Sequence, residues 1–267
     1  MKKFILLLIL ICLGVYGYLS LEEKLNLDEI NKNKNIFTTI IKRDKIIIGV
    51  RDDAVPFGFR DEKGNLAGFD VDLAEIIAES LLGSKNKVEL VPVNAQNRIM
   101  KLKSGEVDML VAAMSTTRQR WQLVDFSKPY YLAGLAIMTK KSNPAIGLKS
   151  LRKNKFIVVY GSTAEESLRK NVPDIEVIGF KTYKEAFQAL KAGEAEGIYA
   201  DDTILYGLAR GDDSVKILAP RYSKEPYAVA VRKEDSAELL ERINFIIENL
   251  EKTKRLEKLA EKWDVDN

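Results

Sequence analysis

An arginine in the first turn of a helix marks the chemistry this chain carries. Val107–Tyr131 reads VDMLVAAMSTTRQRWQLVDFSKPYY. Val107 to Ala112 is largely apolar and suits a buried strand, with Asp108 its only charge. The small and hydroxyl residues Ala113-Met114-Ser115-Thr116 turn it, and Thr117 stands where an N-cap belongs. Arg120 then falls in the first helical turn, where the dipole disfavours a cation. An anion held by the guanidinium and the surrounding backbone N–H groups resolves the conflict, so the stretch reads as a carboxylate receptor. Catalytic chemistry has little to draw on. Histidine is absent and Cys12 is the single cysteine. The commonest general base and metal ligand is therefore missing, and if Cys12 leaves with a processed leader, so are disulfides and thiolate sites.

Other charged residues stand at comparable places. Ile46–Val50 is a buried strand by composition, and Arg51 follows it. Val88–Val93 is the next strand, with Arg98 soon after, at the start of a helix from about Gln96 to Ser104 that stops at Gly105. Between them, Phe69, Leu73, Ile76, Ile77 and Leu81 form one apolar stripe, capped by Asp70 or by Asp72 with Glu75. Alternating strands and helices predict a parallel α/β sheet, in which ligands bind beyond the carboxyl ends of the strands. Tyr130 to Lys141 reads as a strand leaving this first lobe. In the second, strand Phe156–Val159 turns through Tyr160-Gly161-Ser162-Thr163 into a helix with Glu165 and Glu166 in its first turn, a capping pattern. Val177–Phe180 is a strand, Thr182 and Glu185 cap a helix, and Tyr183, Phe187 and Leu190 share its face. Gly197–Ala200 is a short strand ending at Asp201-Asp202, which also fits a helix cap. Strands Val215–Leu218 and Pro226–Val231 follow, and the tail is helical with apolar residues from Leu239 to Leu250 at a 3.6 period.

The stretch around Arg120, with IIIGVRDDAVPFGF, GFDVDLAEIIAE, VYGSTAEESL, YKEAFQALKAGEAEGIYADD and EPYAVAVRK, resembles the solute-binding proteins of polar amino-acid ABC transporters. The similarity covers roughly residues 45–263. It implies a two-lobed periplasmic-binding-protein-like (type II) α/β fold with a two-strand hinge. It implies no catalytic residue and no cofactor. The expected ligand is a free L-amino acid, handed to a membrane permease. Arg120 would pair with the α-carboxylate, assisted by the backbone around Ala113, Ser115, Ser162 and Thr163, and Asp201 with the α-ammonium. GVRDDAVPF and VNAQNRI resemble the glutamate/aspartate members, in which Arg51 and Arg98, with Tyr183, would decide the side chain. Glutamate or aspartate is the expectation, with glutamine or another polar amino acid, or a cyclohexadienyl-dehydratase-like lyase on the same fold, as the alternatives.

Lys2-Lys3 and the apolar run Phe4–Leu13 form the pattern of an export signal. Residues 1–17 are read as a signal peptide or N-terminal anchor, with Cys12 as a candidate for acylation. Residues 18–44 are read as a polar spacer, broken by the apolar patch Ile36–Ile41. Lobe 1 is expected over 45–135 and 229–267, and lobe 2 over 136–228. The chain would work outside the cytoplasm, in the periplasm or on the outer face of the cytoplasmic membrane, as a monomer. The formal charge of +3 falls to +1 without Lys2 and Lys3, which gives no footprint for nucleic acid.

Overall fold

The computed structural model describes residues 16–18, 35–145, 147, 150, 155–172, 175–219 and 221–265. Helix α1, Ile36–Arg43, opens it: Asn35 caps its N-terminus, and the left-handed Asp44 closes it. Strand β1, Ile46–Arg51, leads into the short strands β2 (Asp53–Ala54), β3 (Gly58–Arg60) and β4 (Leu66–Ala67). Helix α2, Phe69–Leu82, is followed by β5 (Val88–Val93), α3 (Arg98–Ser104), β6 (Met109–Leu110), α4 (Arg118–Leu123) and β7 (Asp125–Ala133).

The chain crosses at Gly134 into β8, Leu135–Lys140. The second lobe adds β9 (Lys155–Val159), α5 (Thr163–Asn171), β10 (Glu176–Phe180), α6 (Tyr183–Ala192), β11 (Gly197–Asp201), α7 (Asp202–Ala209) and β12 (Val215–Leu218). Strand β13, Glu225–Val231, returns to the first lobe, and helices α8 (Ala237–Lys252) and α9 (Arg255–Trp263) complete it.

Each lobe is built on a five-stranded sheet, ordered β5-β1-β6-β13-β7 in the first and β10-β9-β11-β8-β12 in the second. Both sheets are mixed rather than wholly parallel. β1 runs parallel to β5 and β6, and β9 parallel to β10 and β11. The two strands next to each crossing, β8 and β13, run antiparallel to their neighbours. A strand entering a lobe through the hinge has no crossover helix to reverse its direction, which is why it runs against the βα strands.

At the hinge, Tyr222 N–H donates to Leu135 O (2.7 Å) and Leu135 N–H to Ser223 Oγ (3.1 Å), so the crossings lie side by side. β8 joins the second sheet from Leu135, and β13 pairs with Ala133 of the first sheet from Glu225. The boundary expected at 135/136 falls one residue into β8, and the one expected at 228/229 falls midway along β13, whose residues from Glu225 on already pair with β7 of the first lobe.

One expectation is corrected outright. The spacer read as reaching residue 44 contains α1, whose Ile36, Phe37 and Ile40 are buried in the first lobe's core with Leu239, Ile243 and Ile247. Its apolar face needs α8, some two hundred residues downstream, before its burial has any meaning. The leader over residues 1–15, Cys12 included, lies outside the described residues. Among those described, no helix is long and apolar enough to cross a membrane.

Candidate functional site

Arg120 is positioned as its local sequence requires. Thr117 Oγ accepts from Arg120 N–H (3.2 Å), which caps α4 and fixes the first turn. Arg120 is buried, and its guanidinium reaches out of the turn in two directions. Nη1 donates to Ser115 O in its own lobe (2.8 Å), and Nη2 to Gly161 O in the other (3.2 Å). Gly161 has φ +74°, and a Cβ there would stand 2.9 Å from Ala95 O of the first lobe. The two lobes therefore meet at the guanidinium of Arg120. Ser162 is the N-cap of α5, its Oγ accepting from Glu165 N–H (3.2 Å), and Thr163 is the buried first residue of that helix. The Ser162 hydroxyl is thus committed to capping.

Ala113 sits at φ +43°, a left-handed conformation that costs an alanine energy and must be held from outside. Asp70 holds it. Asp70 Oδ2 accepts from Ala113 N–H (2.6 Å) and Oδ1 from Tyr130 Oη–H (2.8 Å). Asp70 is fully buried within α2 and is not its cap; that place belongs to Gly68. Burial pushes the Asp70 carboxyl up to about 6, although its two hydrogen bonds and the cations of Arg51 and Arg98 favour ionisation. The kinked loop in turn accepts Arg98: Nη1 donates to Ala112 O (2.8 Å) and to Ala113 O (3.4 Å).

Arg51 ends β1, 2 % exposed, with its guanidinium 5.5 Å from the centroid of Tyr183, the first residue of α6 in the other lobe. Its charge is already answered. Nε donates to Asp53 Oδ1 (2.7 Å), and Nη2 lies 2.6 Å from the same oxygen, an ionic contact without hydrogen-bond angles. Burial is the strongest influence and opposes the Arg51 charge, yet Asp53, Tyr183 and Tyr227 together outweigh it and the pKa rises. Among the described residues, Arg98 has no carboxylate in salt-bridge contact. Burial and the neighbouring Arg120 and Arg51 drive its pKa down.

Asp201 ends β11, 6 % exposed. Its Oδ2 accepts from Tyr227 Oη–H (2.6 Å), and its buried Oδ1 has no hydrogen-bond partner among the described residues. Burial pushes its carboxyl up to about 6 against the Tyr227 bond. Its neighbour Asp202 faces the hinge. It accepts from Gly134 N–H (3.1 Å) and Thr203 N–H (2.8 Å), and pairs ionically with Arg221.

The structure brings members of the expected set together across the two lobes: Arg120 reaches Gly161, next to Ser162 and Thr163, and Arg51 stands against Tyr183. Arg51, Arg98, Ala113, Ser115 and Arg120 come from the first lobe, and Ser162, Thr163, Tyr183 and Asp201 from the second. Three carboxylates, Asp53, Asp70 and Asp201, stand among the three guanidiniums. Sequence reasoning missed Asp53, Asp70 and Tyr227. A signal existed for two. Asp70 shares the helical face of Leu73, Ala74 and Ile77 (i+3, i+4, i+7), so its carboxylate had to be buried. Asp53 is an opposite charge two residues from Arg51, within reach of it in sequence. Tyr227 carried no local signal.

Residues 46–266 match the family described as bacterial extracellular solute-binding proteins, family 3. The chain belongs to that family. It is 38% identical over 208 residues to a glutamine-binding protein of Geobacillus stearothermophilus, covering 77% of this chain and 79% of that one. It is 34% identical over 232 residues to an ABC transporter glutamine-binding protein of Bacillus subtilis (strain 168), covering 86% and 85%. Among solved structures, a cysteine-binding protein from Campylobacter jejuni superposes with a TM-score of 0.82 at 32% identity, covering 86% of this chain and 92% of that one. This chain is an amino-acid-binding receptor for ABC transport.

Proposed function

We propose that this receptor captures a free L-amino acid with a polar, uncharged side chain, glutamine foremost, and delivers it to an ABC permease outside the cytoplasm. The observation that carries this reading is the Arg51–Asp53 ion pair. The expectation of glutamate or aspartate rested on two guanidiniums turned on the ligand's side chain. Asp53 already neutralises one of them. With Asp70 and Asp201 ionised and the buried Glu225 also facing Arg120, the guanidiniums are already answered by carboxylates, so a zwitterion with a neutral side chain adds no net charge. A third ligand charge would add one, and an unpaired charge in a closed cleft is costly. The names of the relatives from G. stearothermophilus and B. subtilis support the same ligand.

In this reading Arg120 takes the α-carboxylate and the free Oδ1 of Asp201 takes the α-ammonium. The kinked Ala113–Ser115 backbone frames the first of these, and Tyr183 walls the side chain. Closure about the crossings at Gly134 and Ser223 then sequesters the ligand, the hinge motion of periplasmic binding proteins. Calorimetric titration of the chain with the twenty amino acids tests the reading: glutamine is expected to bind at least tenfold tighter than glutamate. A tenfold preference for glutamate would return the assignment to the acidic amino acids. Release of product from arogenate or prephenate in an absorbance assay would instead favour the lyase alternative.

A further inference from the structure

Tyr227 is the residue that local sequence did not announce, and its contacts run toward both ligand anchors. It stands fully buried in β13, the strand that returns through the hinge to the first lobe. Its hydroxyl leaves that lobe: Oη–H donates to Asp201 Oδ2, at the end of β11 in the second (2.6 Å). Its backbone neighbours hold the loop that serves Arg120. Thr116 N–H donates to Pro226 O (3.0 Å), Ala228 N–H donates to Met114 O (3.1 Å), and Ser115 and Tyr227 form an antiparallel bridge. Ser115 O in turn accepts from Arg120 Nη1 (2.8 Å). One path of backbone, hydrogen bonds and a single ring thus runs from the Arg120 guanidinium to the Asp201 carboxylate. The ring has little freedom within it. Phe57 packs edge-on at 5.2 Å between centroids, and Tyr131 lies at 5.9 Å. Burial and the Asp201 charge hold the phenol's pKa well above its ordinary value, so the hydroxyl stays a donor at neutral pH.

We infer that Tyr227 is a positioning residue for ligand capture: it fixes the Asp201 carboxylate relative to the Arg120 turn, so that the ammonium and carboxylate of one amino acid meet both anchors together. This rests on the reading of Arg120 and Asp201 as those anchors. A carboxylate turns broadly about its last bond unless one of its oxygens is tied. With Oδ2 on the phenol, Oδ1 remains, and Oδ1 is the buried oxygen that has no hydrogen-bond partner among the described residues. The ammonium then meets an acceptor already oriented, and no affinity is lost in ordering that side chain. The phenol also acts on the charge. A hydrogen bond to the ionised form favours it, and the Tyr227 bond is the largest influence opposing burial at Asp201. Without it the carboxyl would keep its proton to higher pH and meet the ammonium as a neutral acid. The other groups around Asp201 are Arg98, Arg120, Asp202 and Glu225, with the hydroxyls of Tyr183 and Tyr199, and Tyr227→Phe leaves them all in place.

Calorimetric titration of the full chain from about pH 5 to pH 8 tests this, with glutamine and glutamate as probes. Their shared α-groups make the result independent of the side-chain reading. Tyr227→Phe keeps the ring and its packing. It should weaken the better-bound probe about tenfold or more at neutral pH, and move the acid limb of the affinity profile upward by about half a unit or more. Thr203→Ala removes the hydroxyl's other polar neighbour (3.4 Å) and should leave that limb where it is. In an Asp201→Ala background, Tyr227→Phe should cost less than about threefold, because the phenol acts through the carboxylate. An unmoved limb in Tyr227→Phe, a limb moved as far in Thr203→Ala, or an undiminished loss in the Asp201→Ala background would overturn the positioning role and leave both anchors standing. Binding by Asp201→Ala within about tenfold of the unaltered chain would instead remove the anchor, and the positioning role with it.

Discussion

Replacing Asp201 by Asn should move stability and binding in opposite directions. The carboxylate is 6 % exposed, one oxygen rests on the Tyr227 hydroxyl, and the other has no partner among the described residues. Burial lifts its pKa from 3.8 to about 6. At roughly 1.4 kcal/mol per unit, holding it ionised at neutral pH costs the closed, unliganded protein about 3 kcal/mol. Asn keeps the acceptor for Tyr227 and removes the charge. Asp201→Asn should therefore stabilise the free protein at pH 7 by up to about 3 kcal/mol, less as the free cleft opens and hydrates the carboxylate. The sign follows from proton counting. Between pH 4 and 6 the folded state holds more protons than the unfolded one, so the Asp201 protein loses stability as pH rises through this window and levels off above it. The gain from Asn should vanish below about pH 4, where both states are protonated. Binding should respond in the other sense. With the ammonium left facing a neutral amide, affinity should fall by about 3–5 kcal/mol, roughly 10²–10³·⁵-fold. Denaturant titration at pH 7 and pH 4, with calorimetry on the same samples, measures both quantities. A variant less stable than the unaltered chain at pH 7, or one binding within tenfold of it, would refute the placing of a buried, uncompensated ammonium anchor at Asp201.

Ligand affinity should fall below about pH 6, approaching tenfold per unit, because Asp201 must ionise to hold the ammonium. A pH series of calorimetric titrations measures this, and Asp70→Asn should retain the slope if Asp201 is its source. Gly207→Ala should separate the lobes without harming either. Gly207 is inside α7, where Ala is favoured by up to about 1 kcal/mol, but its Cβ would stand 2.2 Å from Val55 O across the cleft. Thermal unfolding should hold steady while affinity drops and small-angle scattering shows a more open bound state; unchanged affinity would place closure elsewhere. Ile40→Ala should cost about 2–5 kcal/mol in denaturant titration, because α1 is core rather than spacer.

Both Asp201 and Asp70 hold raised pKa values because burial outweighs the hydrogen bonds and cations that favour their ionisation. Asp70 acts at one remove, fixing Ala113 in a left-handed conformation so that the neighbouring carbonyls meet Arg98 and Arg120. Asp202 turns to Gly134 and Arg221 at the hinge, while its neighbour Asp201 turns to Tyr227.

The features legible in the chain were those encoded within a few residues. Thr117 capping the turn of Arg120, and Thr182 paired with Glu185, are contacts of three residues' reach, and both caps form as expected. The alternation of strands with 3.6-period stripes likewise announces its own elements. It places Arg51, Arg98, Arg120 and Asp201 at or near the ends of strands, where a sheet leaves its cleft. What tertiary structure alone decided is the balance of charge in that cleft and the partners that set it. Asp70 meets Ala113 across 43 residues, Arg120 meets Gly161 across 41, and Asp201 meets Tyr227 across 26. Each partner has an ordinary local explanation: a cap, a turn glycine, an apolar strand residue. Helix α1 looked like an apolar patch in a polar linker until α8 gave it a surface to cover. The Arg51–Asp53 pair is the intermediate case: the sequence puts opposite charges two residues apart, but only burial, by excluding water from both, turns that proximity into a strong ion pair.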